Sequence, residues 1–311
     1  MSELVRPVPV AVEKTPPRAA EGPRRRRWVR EVGWRHFVAL AAVLFALYPV
    51  AWVVTASINP TGSLASQQLV PTEPTLRHYR NLLRGEIGGA PVPFLAWVRN
   101  TLTIAGVSSL GIVFLSALAA YPFSRLRFRG RRAGLLTLLL VQIFPSSAAA
   151  VAVFLLLLNL GNVFPAIGIG EKWGLVLVYI GTGLGLNVWL MKGFFDTIPV
   201  SLDESARVDG ASEFQIFFQI TLPLVTPILA VVGLIAFVGI QNDFILPSAV
   251  LKQPDDYTLA VGLWQFVSQR YGARWGPFAA GAMMGGAPIV ALWFALQRYV
   301  VSGLTQGAVK G

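Results

Sequence analysis

The chain has 311 residues, 54% of them hydrophobic and only 13% charged, with a mean hydropathy of +0.60. So few charges cannot cover a soluble globule of this size, and most of the surface must face something apolar. The formal net charge of +11 does not mark a nucleic-acid binder, because the basic residues cluster beside apolar segments instead of forming one polar face, and the absence of cysteine excludes disulfides, thiolate zinc sites and cysteine nucleophiles.

Residues 1–34 hold five prolines and the run Arg24-Arg25-Arg26-Arg27 with few apolar residues, which predicts a disordered, basic, cytoplasmic N-terminus. Small residues from Ala51 to Ala56 follow the first apolar run in the manner of a cleavage site. The polar lead before that run is too long for a signal peptide, so an uncleaved anchor is expected. Charge-free windows, each able to cross a hydrocarbon core that needs roughly 20 apolar residues, predict spans near 36–58, 98–120, 134–158, 174–194, 223–246 and 278–300. Between the third and fourth, a turn is expected over Asn159-Leu160-Gly161-Asn162-Val163-Phe164-Pro165. The fourth span carries Gly181, Gly183, Gly185 and Asn187, and reads equally as a plain span or as a broken helix lining a cavity.

Lysine and arginine then orient the chain. With the N-terminus inside, 18 of the 26 fall on the cytoplasmic side and eight outside. Both termini and the loop 196–223 are therefore predicted in the cytoplasm, with external loops at 59–97, 159–173 and 247–277. The expected fold class is all-α: a polytopic membrane protein with a transmembrane domain over 35–311.

The loop 196–223 carries the most specific pattern. Ser201 with Glu204, and Ser212 with Gln215, each have capping-box spacing, so two short helices are predicted on either side of a break at Gly210. A DNA-reading helix-turn-helix is excluded by Asp196, Asp203, Glu204, Asp209 and Glu213 against Lys192 and Arg207, since an acidic element repels phosphate. Glu204, Ala206, Gly210, Ile220, Leu222 and Pro223 fall in the register Glu-Ala-Ala, three residues, Gly, nine residues, Ile-x-Leu-Pro. That register resembles the cytoplasmic coupling loop of binding-protein-dependent ABC importers. Ser205 departs from it, adding a hydroxyl where the pattern has a second alanine.

From about Trp97 onward the resemblance narrows. Tyr257-Thr258-Leu259-Ala260-Val261-Gly262-Leu263, the run Trp275-Gly276-x-Phe278-Ala279-Ala280, and the end Gly303-Leu304-Thr305-x-Gly307-Ala308-Val309-Lys310-Gly311 are similar to the smaller permease subunit of maltose/maltodextrin-type carbohydrate ABC importers. The resemblance implies a bacterial inner-membrane protein of type I permease fold. Its implied partners are a second permease subunit, two ABC ATPase subunits carrying ATP and magnesium, an extracytoplasmic sugar-binding protein and the lipid bilayer, with no nucleic acid and no cofactor in this chain. It also implies that Asp203, Glu204, Ser205, Ala206, Arg207, Val208, Asp209, Gly210 and Ala211 form the contact with the ATPase. Glu204 is the charged group expected to meet an arginine there. Gly303, Leu304, Thr305, Gly307 and Lys310, in the cytoplasmic tail 301–311, form a second contact.

The catalytic inventory is thin. No lysine sits in a G-x-x-x-x-G-K-[ST] loop, so ATP phosphates are not cradled here by that motif. His36 and His78 are predicted on opposite sides of the membrane and cannot share a metal. The adjacent Asp255 and Asp256 do not converge as an acid/base pair. Gln142, Asn187, Gln241, Asn242 and Asp243 are the candidates for a sugar pathway, with helix–helix hydrogen bonding as the alternative role. Asp255, Asp256, Tyr257, Trp264, Phe266, Tyr271 and Trp275 in the last external loop are candidates for meeting the binding protein, with an interfacial aromatic belt as the alternative for the rings. The reading is a non-enzymatic permease subunit importing maltose or maltodextrins. The alternatives are a permease for another sugar or polyol, and an integral-membrane enzyme.

Overall fold

The computed structural model describes residues 32–60, 71, 73–143, 146–268 and 274–308, and the reading of residues 1–31 lies outside them. Two compact units are formed by residues 1–52 and 53–311. Helix α1 (Trp34–Ile58) is apolar on every face, with only Ala56 and Ser57 buried. Then come α2 (Arg77–Arg84) and a short antiparallel hairpin, β1 (Glu86–Ile87) with β2 (Ala90–Pro91), in which Glu86 pairs with Pro91 and Ile87 with Ala90. Helices α3 (Phe94–Arg125), α4 (Arg131–Val141), α5 (Ser146–Val163) and α6 (Lys172–Phe195) follow. The loop helices are α7 (Val200–Val208) and α8 (Glu213–Leu224). The chain ends with α9 (Thr226–Asn242), α10 (Ile245–Val250), α11 (Leu259–Val267) and α12 (Trp275–Ala308).

The core of the larger unit forms where α3 packs along α6 and α9. Ile104, Ala105, Ile112 and Ala117 meet Leu175, Val188, Met191 and Phe195 of α6 and Ile228, Val232 and Phe237 of α9. The outer faces keep large exposed hydrophobics such as Leu110, Phe114, Ile235 and Phe294. That distribution suits helices whose outer surface meets lipid or another apolar subunit. A second cluster joins Leu82, Phe94, Trp97, Leu259, Leu263 and Phe266 beside the hairpin.

Four of the six expected spans are single helices long and apolar enough to cross a bilayer: Trp34–Ile58, Phe94–Arg125, Lys172–Phe195 and Trp275–Tyr299. The fifth is α9, joined to α8 at a bend of 75° between Pro223 and Pro227. It stops at Asn242, short of the expected 246, because Asp243 is extended and its carboxylate accepts the Ile245 N–H at 2.9 Å, starting α10 afresh. The third expected span is not one helix. α4 ends at Val141 and α5 begins at Ser146; a proline at 145 would press its ring on the carbonyl of residue 141 if the helix continued. The turn expected from Asn159 comes later, since α5 runs on to Val163 before a short 3₁₀ turn over Pro165–Ile167.

The fourth span is continuous, which settles the alternative left open by its glycines. They serve contact. A Cβ on Gly183 would lie 2.5 Å from Ile112, and one on Gly185 would lie 2.5 Å from the Leu138 carbonyl oxygen, so glycine lets α3 and α4 close on α6.

His78 on α2 is buried and its ring nitrogen Nε2 donates to the Asn59 carbonyl at 2.9 Å. Burial, the largest effect, pushes its pKa below the usual 6.5, and Arg77 adds to the shift. A depressed histidine pKa penalises the folded state once the unfolded chain begins to protonate, so the loss starts as pH falls through 6.5 and is absent above it. Protease cleavage around α2 is therefore expected to rise below about pH 6.5 and to lose that dependence in His78→Gln.

Candidate functional site

The loop after α6 is built as predicted in outline and differs in its first cap. Pro199 precedes α7 as the N-cap residue, and Ser201 lies inside the first turn without a capping bond, so the Ser201–Glu204 box does not form. Proline suits this place because its fixed φ feeds the helix start and no N–H is lost from the ladder. The second box is present: the Ser212 hydroxyl accepts the Gln215 N–H while the Gln215 side chain accepts the Ser212 N–H. Between them Gly210 has φ +84°, with Gly210 N–H on the Arg207 carbonyl and Ala211 N–H on the Ala206 carbonyl. This paired closure needs a left-handed residue, which glycine adopts at least cost.

α7 divides into two faces. Asp203 is fully buried and Ala206 is 8% exposed; spaced i and i+3, they point into the protein. That corrects the expectation that both belong to the outer contact surface. Glu204, Ser205, Arg207, Val208, Asp209 and Gly210 are exposed, Ala211 is half-buried, and Val208 stands out at 88% exposure.

A polar clamp fixes the inner face. Arg125, in the last turn of α3, places Nε 2.7 Å from the Asp203 carboxylate with both side chains almost wholly buried. The N–H points off the oxygen, so the contact is ionic more than a directed hydrogen bond. Arg125 also donates from Nη2 to the Ile198 carbonyl at 3.1 Å. The Tyr121 hydroxyl donates to Glu213 at 3.1 Å, and Arg207 grips the same carboxylate at 2.6 and 3.2 Å. The Arg207 hydrogen bond holds the Glu213 carboxyl below the usual carboxylate range. Ser124 donates to Asp196, which also pairs with Lys192. Upstream of Pro223, the stretch Ile216–Thr221 widens into a π-helix, relieving the clash that the proline ring would make with the carbonyl four residues back. Sequence reading missed Arg125 and Tyr121; the first of five clustered arginines and a tyrosine closing an apolar run were the signal.

Four of the five pathway candidates converge. Gln142, Asn187, Asn242 and Asp243 line one cavity of about 470 Å³, which Tyr179 and Thr182 also line. Gln241 does not join them: it is buried and donates to the Gly285 carbonyl of α12 at 2.6 Å, the helix–helix role named as the alternative. Tyr179 donates to the free oxygen of Asp243 at 2.8 Å, a pairing with no sequence signal across 64 residues.

The last inter-helix loop is held against α3. Trp97 donates to the Pro254 carbonyl at 2.7 Å, and Asn100 donates to the Asp255 carbonyl at 2.8 Å, leaving both Asp255 and Asp256 side chains exposed on a pinned backbone. Trp264 is exposed and meets Phe244 in a tilted ring contact at 5.5 Å, Tyr257 is half-buried, Phe266 is buried in the second cluster, and Trp275 is half-buried at the start of α12. Tyr271 lies outside the described residues. Gly303, Leu304, Thr305 and Gly307 belong to the last turns of α12, so the segment expected as a separate tail continues the helix to Ala308; Lys310 lies outside the described residues. Among the described residues, no group of three histidines, carboxylates or cysteines is placed to hold a metal.

Residues 112–306 match the family model described as binding-protein-dependent transport system inner membrane component. The galactooligosaccharides transport system permease protein GanQ of Bacillus subtilis (strain 168) is 41% identical over 286 residues, covering 92% of this chain and 98% of that protein. The maltose/maltodextrin transport system permease protein MalG of Vibrio vulnificus (strain YJ016) is 39% identical over 287 residues, covering 89% and 96%. Among solved structures, a bacterial ABC transporter involved in the import of the acidic polysaccharide alginate has the same fold, with TM-score 0.72 at 22% identity over 88% of this chain and 98% of that one. With its coupling-loop register, its helical membrane fold and these matches along most of its length, the chain belongs to the family of binding-protein-dependent transport system inner membrane components.

Proposed function

We propose that this chain is the smaller permease subunit of an ATP-driven importer of maltose and maltodextrins. The observation that carries the reading is the exposed face of α7 and its turn, formed by Glu204, Ser205, Arg207, Val208, Asp209 and Gly210 and held on a rigid support by Arg125 and Tyr121, in a chain 39% identical to a maltose/maltodextrin permease. A short helix clamped between two spans can act as a lever: an ATPase cleft gripping the outer face of α7 would pass its closure to α3 through the clamp and to α9 through the bend. Val208 and Phe214, at 88% and 71% exposure, supply apolar area, and Glu204 supplies the charge. ATP and magnesium belong to the two partner ATPase subunits, and this chain performs no chemistry of its own. The second permease subunit covers part of the exposed apolar helix surface, and the end of α12 makes the other ATPase contact. Asp255, Asp256, Tyr257 and Trp264 face the sugar-binding protein.

Two experiments test this. A reporter fused after Ser212 is expected to read as cytoplasmic and one after Asp256 as external; Ser212 outside would remove the coupling surface from the ATPase. Cells lacking this chain are expected to lose accumulation of maltose and maltodextrins at low external concentration. The 41% identity to GanQ favours a second reading, galactooligosaccharide import. Normal maltodextrin uptake with loss of galactooligosaccharide uptake would establish that one instead.

A further inference from the structure

Two interruptions of the membrane helices open on the same cavity. The first is the end of α4, where Gln142 follows Val141; the second is the break at Asp243 and Phe244 between α9 and α10. Both stand against α6, which contributes Tyr179, Thr182 and Asn187. At membrane depth an interrupted helix is tolerated where its backbone lines a polar or water-filled cavity, and two such breaks facing one space mark a place built for a polar occupant. The groups offered there are amides, hydroxyls and one carboxylate. Gln142 bridges the breaks' common wall by donating to the Thr182 carbonyl at 2.7 Å. Asn187 and Asn242 each donate an amide hydrogen to a carbonyl one turn back in their own helices.

Charge narrows the occupant. Among the described residues, Asp243 is, apart from Tyr179, the one ionisable side chain on the cavity wall, and no lysine, arginine or histidine lines it. A carboxylate held by a tyrosine hydroxyl and a backbone N–H accepts hydrogen bonds from neutral hydroxyls, and repels a second carboxylate in a low-dielectric space. We infer that this subunit itself holds a transit station for a neutral oligosaccharide, formed by Asp243, Tyr179, Thr182, Asn187, Asn242 and Gln142, and that Asp243 excludes acidic sugars from it. The inference rests on the assignment of the chain as an oligosaccharide permease.

The test uses the complete importer in proteoliposomes with its binding protein, and counts labelled oligosaccharide moved per ATP hydrolysed. Asp243→Asn and Asn187→Ala are each expected to lower that ratio about tenfold, the scale of one lost hydrogen bond to a charged or oriented group. Ser248→Ala, on α10 and away from the cavity wall, is expected to leave it unchanged. A second arm compares the neutral oligosaccharide with the same sugar oxidised to a terminal uronate, both with the binding protein saturated. The wild type is expected to disfavour the uronate about tenfold or more, and Asp243→Asn to close most of that gap. An unchanged transport ratio in both cavity variants, or an unchanged uronate gap in Asp243→Asn, overturns the station. A wild-type complex that moves no neutral oligosaccharide at all overturns the permease assignment on which it rests.

Discussion

Replacing Asp203 by alanine is expected to loosen the loop between α6 and α9 by about 3–5 kcal/mol, the usual cost of removing one partner of a buried ion pair. The cause is the group left behind. The Arg125 side chain is 3% exposed, and without the carboxylate its charge stays buried with the Ile198 carbonyl as its remaining hydrogen-bond partner among the described residues. Replacing both, Arg125→Met with Asp203→Leu, removes the stranded charge and should recover most of the loss, as apolar replacements of buried pairs commonly do. Protease cleavage across residues 196–223 in the detergent-solubilised complex reads this directly. Fast cleavage in Asp203→Ala, slow cleavage in the double variant and slow cleavage in the wild type are expected. Cleavage of Asp203→Ala at the wild-type rate would mean the pair contributes nothing to the placement of α7.

The two faces of α7 thus divide the work. Asp203 is buried against Arg125 and positions the helix, whereas Glu204, one residue on and about 100° around the helix, is exposed. Sequence spacing placed both acids in one contact surface because a register of matched positions carries no information on which side faces inward. That distinction required knowing where Arg125 ends, 78 residues earlier in the chain.

Legibility followed the range of the interactions. The Ser212 box and the left-handed Gly210 were readable because their causes lie within a few residues. The Ser201 box was equally well spaced and did not form, since Pro199 claimed the helix start two residues earlier and carried Ser201 into the first turn. Long apolar helices were readable from composition, but hydropathy averaged over the break after Val141 and merged α4 with α5. The glycines of α6 suggested a break, whereas Gly183 and Gly185 are explained by packing against Ile112 and Leu138. In the cavity, Gln142, Asn187, Asn242 and Asp243 stood out as polar residues in apolar runs, which is a local signal. Tyr179 did not, because a tyrosine in a span is unremarkable until its hydroxyl is found 2.8 Å from a carboxylate on another helix. Gln241 carried the same signal as its neighbour Asn242 but faces α12 instead of the cavity, as residues about 100° apart on a helix can.

The most direct test of the central claim, that the exposed face of α7 couples this subunit to its ATPases, is Glu204→Lys in the reconstituted importer. Glu204 is exposed and holds no ion pair or hydrogen bond among the described residues that a charge reversal would break, so insertion, folding and permease abundance are expected to stay at wild-type levels. Reversing one partner of a charge pair desolvated between subunits typically costs on the order of 2–5 kcal/mol. The measurement is sugar uptake together with binding-protein-stimulated ATP hydrolysis, made on proteoliposomes at matched permease abundance. Both are predicted to fall together, with the ATPase subunits more readily lost from the complex. Wild-type uptake with the ATPases still bound would contradict the account and show that α7 is not the coupling element.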